Sequence, residues 1–118
     1  MFKLDLSATY YARVSIPMLD GDGRLVTHQF DACFKRRDQT ELEAKAKRFE
    51  TGDAGDQEIV DEELVGWRGV RDAADCELPY TPDNLAAVLR VAGMRKAIAL
   101  AWWQSLSPQE AAALAEKN

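Results

Sequence analysis

Histidine and cysteine are the scarcest chemistry in this chain of 118 residues: one histidine, His28, and two cysteines, Cys33 and Cys76, far apart. A lone histidine builds no zinc site without cysteine or carboxylate partners at suitable spacing. Neither cysteine has a histidine nearby in sequence, and there is no G-x-S-x-G elbow and no glycine-rich phosphate loop. The expectation is therefore no catalytic residue, no metal ligand and no cofactor. Two distant thiols without metal-type spacing suit a reducing cytoplasm. An excess of basic charge is missing as well. Fifteen Lys and Arg stand against twenty Asp and Glu, a net charge of −5, which argues against a nucleic-acid partner. The longest apolar run, Ala97 to Trp103, falls far short of the roughly 20 residues a bilayer span needs. The start, MFKLDLSATYY, carries Asp5 and no long apolar core, so neither a membrane segment nor a signal peptide is expected. Internal repeats and long linkers are lacking too, so residues 1–118 read as a single domain.

What is there is patterned. Hydrophobic residues at 47% and charged ones at 30% are the balance of a globular chain able to bury a core. Phe2, Leu4 and Leu6 alternate; Tyr10, Ala12, Val14, Ile16 and Met18 alternate again, the period of a strand with one buried face. Asp20-Gly21-Asp22-Gly23 is a turn signal, and Val26, His28, Phe30, Ala32 and Phe34 resume the period of two. A β-hairpin pairing Tyr10–Met18 with Leu25–Phe34 follows, about 10–34, with Pro17 at a strand end or a sheet edge because it cannot donate to a ladder. The Asp-Gly run only superficially resembles a calcium loop. Arg24, Leu25 and Asp31 stand where an EF-hand needs an acid or amide, a glycine and a glutamate.

A helical part, about 38–116, comes next. Asp38 with Glu41, or Thr40 with Glu43, can form a capping box, and Leu42, Ala46 and Phe49 give that helix an apolar stripe. Glu41/Lys45 and Glu43/Lys47 have favourable i,i+4 spacing. From Glu50 to Glu63 there are acids and no base, including the neighbours Asp61 and Glu62; the run reads as a solvated face. Asp56 to Val65 reads as a short helix whose stripe, Val60 and Leu64, continues to Trp67. Trp67 is thus expected at the junction of that helix with the next one. An Asp-rich turn at Asp72 to Asp75 and an extended Leu78-Pro79-Tyr80 lead to a helix start. There Thr81 can cap, Pro82 suits the first position and Asp83 favours the dipole. Leu85, Val88, Leu89 and Ala92 form its stripe. After a break at Gly93, Met94, Ile98, Ala101, Trp102 and Ser105 line one face of another helix. Ser107-Pro108-Gln109-Glu110 opens a last one with Ala111, Leu114 and Ala115. The expected fold is α+β: an N-terminal β-hairpin or small antiparallel sheet, then four to five helices. Its core would hold Phe30, Phe34, Trp67, Tyr80, Leu85, Leu89 and Ile98. Trp102 and Trp103 diverge by about 100° on their helix, so one of them can reach a contact surface. Arg95, Lys96, Trp102, Trp103 and Leu106 are the interface candidates.

The ordered set resembles a known family over roughly Val14 to Leu106. It runs from a hairpin ending in Phe30-x-x-x-Phe34-Lys35-Arg36 through a charged helix and an acidic helix into Gly66-Trp67. Asp72, Leu78-Pro79-Tyr80, the capping Thr81 and Leu85 to Leu89 follow, then a helix with Arg95, Ile98 and Trp102. This is similar to the lambda-like tail assembly chaperones of long-tailed phages and their prophage remnants. One departure is Ala74-Asp75-Cys76, where a glycine is expected in the turn. The resemblance implies a non-catalytic protein that binds the tape measure protein, keeps it soluble and helps recruit tail tube subunits. It implies action in the bacterial host cytoplasm and absence from the mature virion, with a longer frameshifted form that engages the tail tube protein. Association with further copies of itself is compatible. The alternatives are a structural tail component, a tube or completion protein with a larger β-sheet, or a small acidic regulatory or enzymatic domain.

Overall fold

The computed structural model describes Leu4 and residues 7–106. In chain order the elements are β1 (Thr9–Leu19), β2 (Leu25–Lys35), α1 (Gln39–Glu50) and α2 (Asp56–Glu58). A π-helical segment (Ile59–Glu63) then leads to β3 (Leu64–Arg68), α3 (Pro82–Leu89) and α4 (Met94–Ser105). The described strands form one antiparallel sheet in the order β1-β2-β3. This is the expected small α+β fold with one correction: the third strand follows α1, so the sheet is not wholly N-terminal. The Phe2/Leu6 alternation and the helix expected from Ser107 lie outside the described residues.

The hairpin is made by its turn. Asp20 Oδ1 accepts from the backbone N–H of Asp22 and of Arg24, at 2.9 and 2.8 Å, and Gly23 takes the left-handed conformation at φ 79°. The backbone N–H of Asp20 reaches Arg24 O at 2.8 Å, and that of Arg36 reaches Ala8 O at 2.9 Å. With Thr9 opposite Lys35 and Leu19 opposite Leu25, the even-numbered residues of β1 therefore bond to β2. The odd-numbered ones aim their backbone groups away from it. Pro17 is odd, so its missing N–H costs the ladder nothing. Inward, Val14, Ile16, Phe30, Ala32 and Phe34 are buried, and the inner face of β1 packs against α4.

β3 is the element that the sequence pattern conceals. Phe34 pairs with Leu64 but Cys33 pairs with Gly66, so Val65 is an extra residue, a β-bulge. The bulge lets Leu64 and Trp67, three apart, both face inward, which imitates helical spacing. The helix expected over Asp56–Val65 accordingly ends at Glu63, and Trp67 sits on a strand opposite Ala32, not at a helix junction. Its burial is as expected. Trp67 Nε1 donates to Leu78 O at 2.8 Å, and the ring meets Tyr80 edge-to-face at 4.9 Å between centroids. The Leu78–Tyr80 segment thus lies over the tryptophan.

The caps match their local signals. Asp38 and Glu41 make the capping box of α1 reciprocally, and Thr81 caps α3 by accepting from the N–H of Asn84. Gly93, at φ 82°, separates α3 from α4. Within Ala74-Asp75-Cys76, the turn that lacks the glycine expected from the resemblance, Asp75 takes φ 62°, while Asp72 Oδ1 accepts from the N–H groups of Ala74 and Cys76. Of the core candidates, Phe30, Phe34, Trp67 and Ile98 are buried; Tyr80, Leu85 and Leu89 are partly buried against them.

Trp67→Ala should cost roughly 3–5 kcal/mol of a total stability of about 5–15 kcal/mol. An unmoved chemical denaturation midpoint would refute this packing. At the Asp72–Cys76 turn, Asp75→Val should cost roughly 1–2 kcal/mol because a β-branched residue tolerates positive φ poorly. Asp75→Gly should not lower the midpoint in the same assay.

Candidate functional site

The two strands of the hairpin are longer than the helical layer that covers them. Val14, Phe30 and Ile16 lie inside the core, but cover is lost toward the hairpin tip: Ile16 pairs with His28, and Met18, only partly buried, pairs with Val26. His28 is exposed and Val26 is 39% exposed. Here Met18, His28, Val70, Val88, Val91 and Met94 line an open groove of about 440 Å³ between the end of the hairpin and the α3–α4 corner. Its walls are mostly aliphatic. His28 and Arg71 supply the polar rim, and exposed Arg90 and Arg95 flank Val91 and Met94 in sequence. Leu19 and Leu25, each 69% exposed, add apolar surface at the hairpin tip.

α4 offers less than its composition suggests. Trp102 is 1% exposed and belongs to the core, a correction to its place among the interface candidates. The physical reason is that β1 and the π-helical segment cover two sides of this helix at once. The indole N–H of Trp102 is buried with no hydrogen-bond partner among the described residues. Trp103 is half-buried, edge-on to Phe49 at 5.1 Å between centroids. Leu106 is partly buried, and Arg95 and Lys96 are exposed. Leu100, 53% exposed, is the large apolar residue that α4 shows to solvent.

Most of the acidic stretch, Asp61 and Glu62 included, is exposed as expected, but Glu58 and Glu63 depart from the solvated face. Glu63, at the end of the π-helical segment, has a fully buried side chain. Its carboxylate receives Arg37 Nε at 2.7 Å and Arg37 Nη2 at 3.0 Å, and Lys45 Nζ lies 3.3 Å away. Lys45 Nζ is also 3.2 Å from Glu58, which Arg48 pairs from the other side. The i,i+4 partners expected on α1 are thereby reassigned: Glu41 takes Arg37, and Lys45 turns inward. Burial alone would raise the Glu63 pKa, but the Arg37 hydrogen bonds and the charges of Lys45 and Arg37 outweigh it and hold it below the ordinary 4.5. Arg37 is correspondingly raised, first by its bonds to Glu63. The network fastens α1 to the rest of the molecule. On the outer face of the sheet, Asp31 accepts from Arg13 at 2.7 Å and Arg68 at 2.9 Å, and Arg68 lies over the Tyr11 ring.

Among the described residues no three His, Cys, Asp or Glu side chains converge as metal ligands, and no helix is long and apolar enough to cross a membrane. The groove residues were concealed in the sequence because Ile16, Met18 and His28 alternate like any buried strand face. Only the length of the hairpin beyond the α3–α4 corner reveals them as uncovered among the described residues.

Glu63→Gln should cost roughly 3–5 kcal/mol near neutral pH by leaving Arg37 and Lys45 without their buried partner. Because the folded pKa of Glu63 is depressed, its contribution is full above the ordinary glutamate value and is lost as pH falls through the folded value. The wild type should therefore lose stability on acidification below about pH 4.5 more steeply than the variant. Parallel pH profiles of the two urea midpoints would contradict this role.

Comparison of the chain with protein-family models, with curated proteins and with solved structures finds no match.

Proposed function

We propose that this protein is a non-catalytic tail assembly chaperone of a long-tailed phage or prophage, binding an amphipathic helix of the tape measure protein. The observation that carries this reading is the aliphatic groove between the hairpin end and the α3–α4 corner. A groove of about 440 Å³ with a basic rim suits the apolar stripe of one helix with acidic flanks. Helix-in-groove recognition needs no metal or cofactor, and this proposal invokes none. The resemblance of the ordered segments, from Phe30 to Trp102, supports the same reading. On it the protein acts in the host cytoplasm, keeps the tape measure protein soluble, helps recruit tail tube subunits through a longer form, and is absent from the finished particle.

The groove displaces α4 as the preferred client surface, because Trp102 is core and Trp103 is occupied by Phe49. Co-expression with the tape measure protein of the same genome, followed by pull-down, tests both the function and the surface. The wild type should retain the client. His28→Glu, at an exposed position that lines the groove, should lower the affinity roughly tenfold, a loss of about 1.4 kcal/mol. Trp103→Ala and Arg95→Glu should have smaller effects. Full retention by His28→Glu with loss in Arg95→Glu would move the client to α4. Failure of the wild type to capture any tape measure protein would overturn the function.

A further inference from the structure

We infer that a second copy of this chain pairs with the free edge of β1, antiparallel and about a two-fold axis at Ala12, to make one continuous six-stranded sheet. Among the described residues β1 is an edge strand of eleven residues. Its odd-numbered residues Thr9, Tyr11, Arg13 and Ser15 direct their backbone N–H and C=O groups away from β2. Edge strands that remain single are commonly blunted by bulges, inward-pointing charges or proline. Between Thr9 and Ile16 β1 has none of these. Its one charge, Arg13, points outward and is neutralised by Asp31. The single blunting residue, Pro17, stands just past this window, at a position where its absent N–H would face the added strand.

The register follows from the chain's own residues. Pairing about Ala12 sets Thr9 against Ser15 of the other copy and Tyr11 against its Arg13, giving four hydrogen-bonded residue pairs, each contributing two bonds. A shift toward the hairpin tip would centre on Arg13, oppose two like charges and bring Pro17 into the ladder opposite Thr9. A shift the other way would centre on Tyr11 and lose a pair. The register at Ala12 is therefore the longest one that avoids both penalties. It also suits the inner face: an open groove of about 480 Å³, lined by Ala12, Ala101, Gln104 and Ser105 among others, lies along this edge. Small residues at the axis let the α4 helices of the two copies approach, and the two grooves close on each other. Tyr11, already stacked under Arg68, would gain Arg13 of the second copy as a neighbour on the outer face.

This inference does not depend on the proposed client. Sedimentation equilibrium of the whole chain should give twice the chain mass of 13.2 kDa. Arg13→Pro removes an outward N–H while leaving the β1–β2 ladder intact, as Pro17 already does. It should weaken the dimer by tenfold or more, with an unchanged circular dichroism spectrum. Should that variant fail to fold, disulfide trapping decides. In a Cys76→Ser background, Ala12→Cys places two thiols at a non-hydrogen-bonded pair, whose Cα spacing of about 4.5 Å falls within disulfide range. Mild oxidation should convert Ala12→Cys to a covalent dimer, while Val26→Cys in the same background should not convert. A monomer at every concentration measured would overturn the inference, and so would a dimer that Ala12→Cys fails to trap. A monomer that still captures the tape measure protein would leave the chaperone reading standing and refute only this pairing.

Discussion

A buried carboxylate decides how the two halves of this molecule meet. Glu63 lies fully inside, and taking such a charge out of water costs several kcal/mol unless it is well paired. Arg37, at the end of the hairpin, and Lys45, on α1, supply the pairing from two directions. Three otherwise separate pieces, hairpin exit, first helix and the entry to β3, are thereby tied to one atom group. The position of Phe49 against Trp103 follows from this tie, because α1 makes few other contacts with the body. The π-helical turn belongs to the same requirement. Its wider ring brings Ile59, Val60 and Glu63 inward together.

The parts legible in the sequence were those whose signal is local. Asp20 and Gly23 announced the hairpin, Asp38 with Glu41 the first cap, and Thr81-Pro82-Asp83 the start of α3. Each of these residues acts on backbone within a few positions of itself. The concealed parts depend on partners distant in sequence. The bulge at Val65 put Leu64 and Trp67 on one face at a spacing of three, which a strand lacks unless it is kinked. Within the acidic run from Glu50 to Glu63, nothing singles out Glu58 and Glu63 as the two acids over which Arg37, Lys45 and Arg48 close. Trp102 and Trp103 could not be ranked either, since the helix does not encode that two layers cover it. The groove has the same origin: alternation marks a face as apolar and leaves open whether another layer reaches it.

Among the described residues the sheet is covered by helices on one face and for only part of its length. On the two proposals above, this economy divides β1 between two tasks. Its second half, from Ile16, borders the apolar groove, while Thr9 to Ser15 holds the free edge. Pro17 stands between the two regions, ending any added strand before it could intrude on the groove. A dimer built this way leaves both grooves open, one at each end of the extended sheet, so one assembly could present two helix-binding sites.

The hairpin turn carries a consequence for the order in which the chain acquires its structure. Asp20, Gly23 and Arg24 close a loop of a few residues, so β1 and β2 can register at little entropic cost, on a timescale of about 1–10 μs for such ribbons. β3 must wait for the intervening α1 and acidic segment to be folded back, since Leu64 meets Phe34 only across that longer loop. Until it does, β2 is a second open edge with Phe34 and Cys33 uncovered. A chain that folded in this order would hold both sides of its ribbon unpaired until Trp67 arrived beneath Leu78.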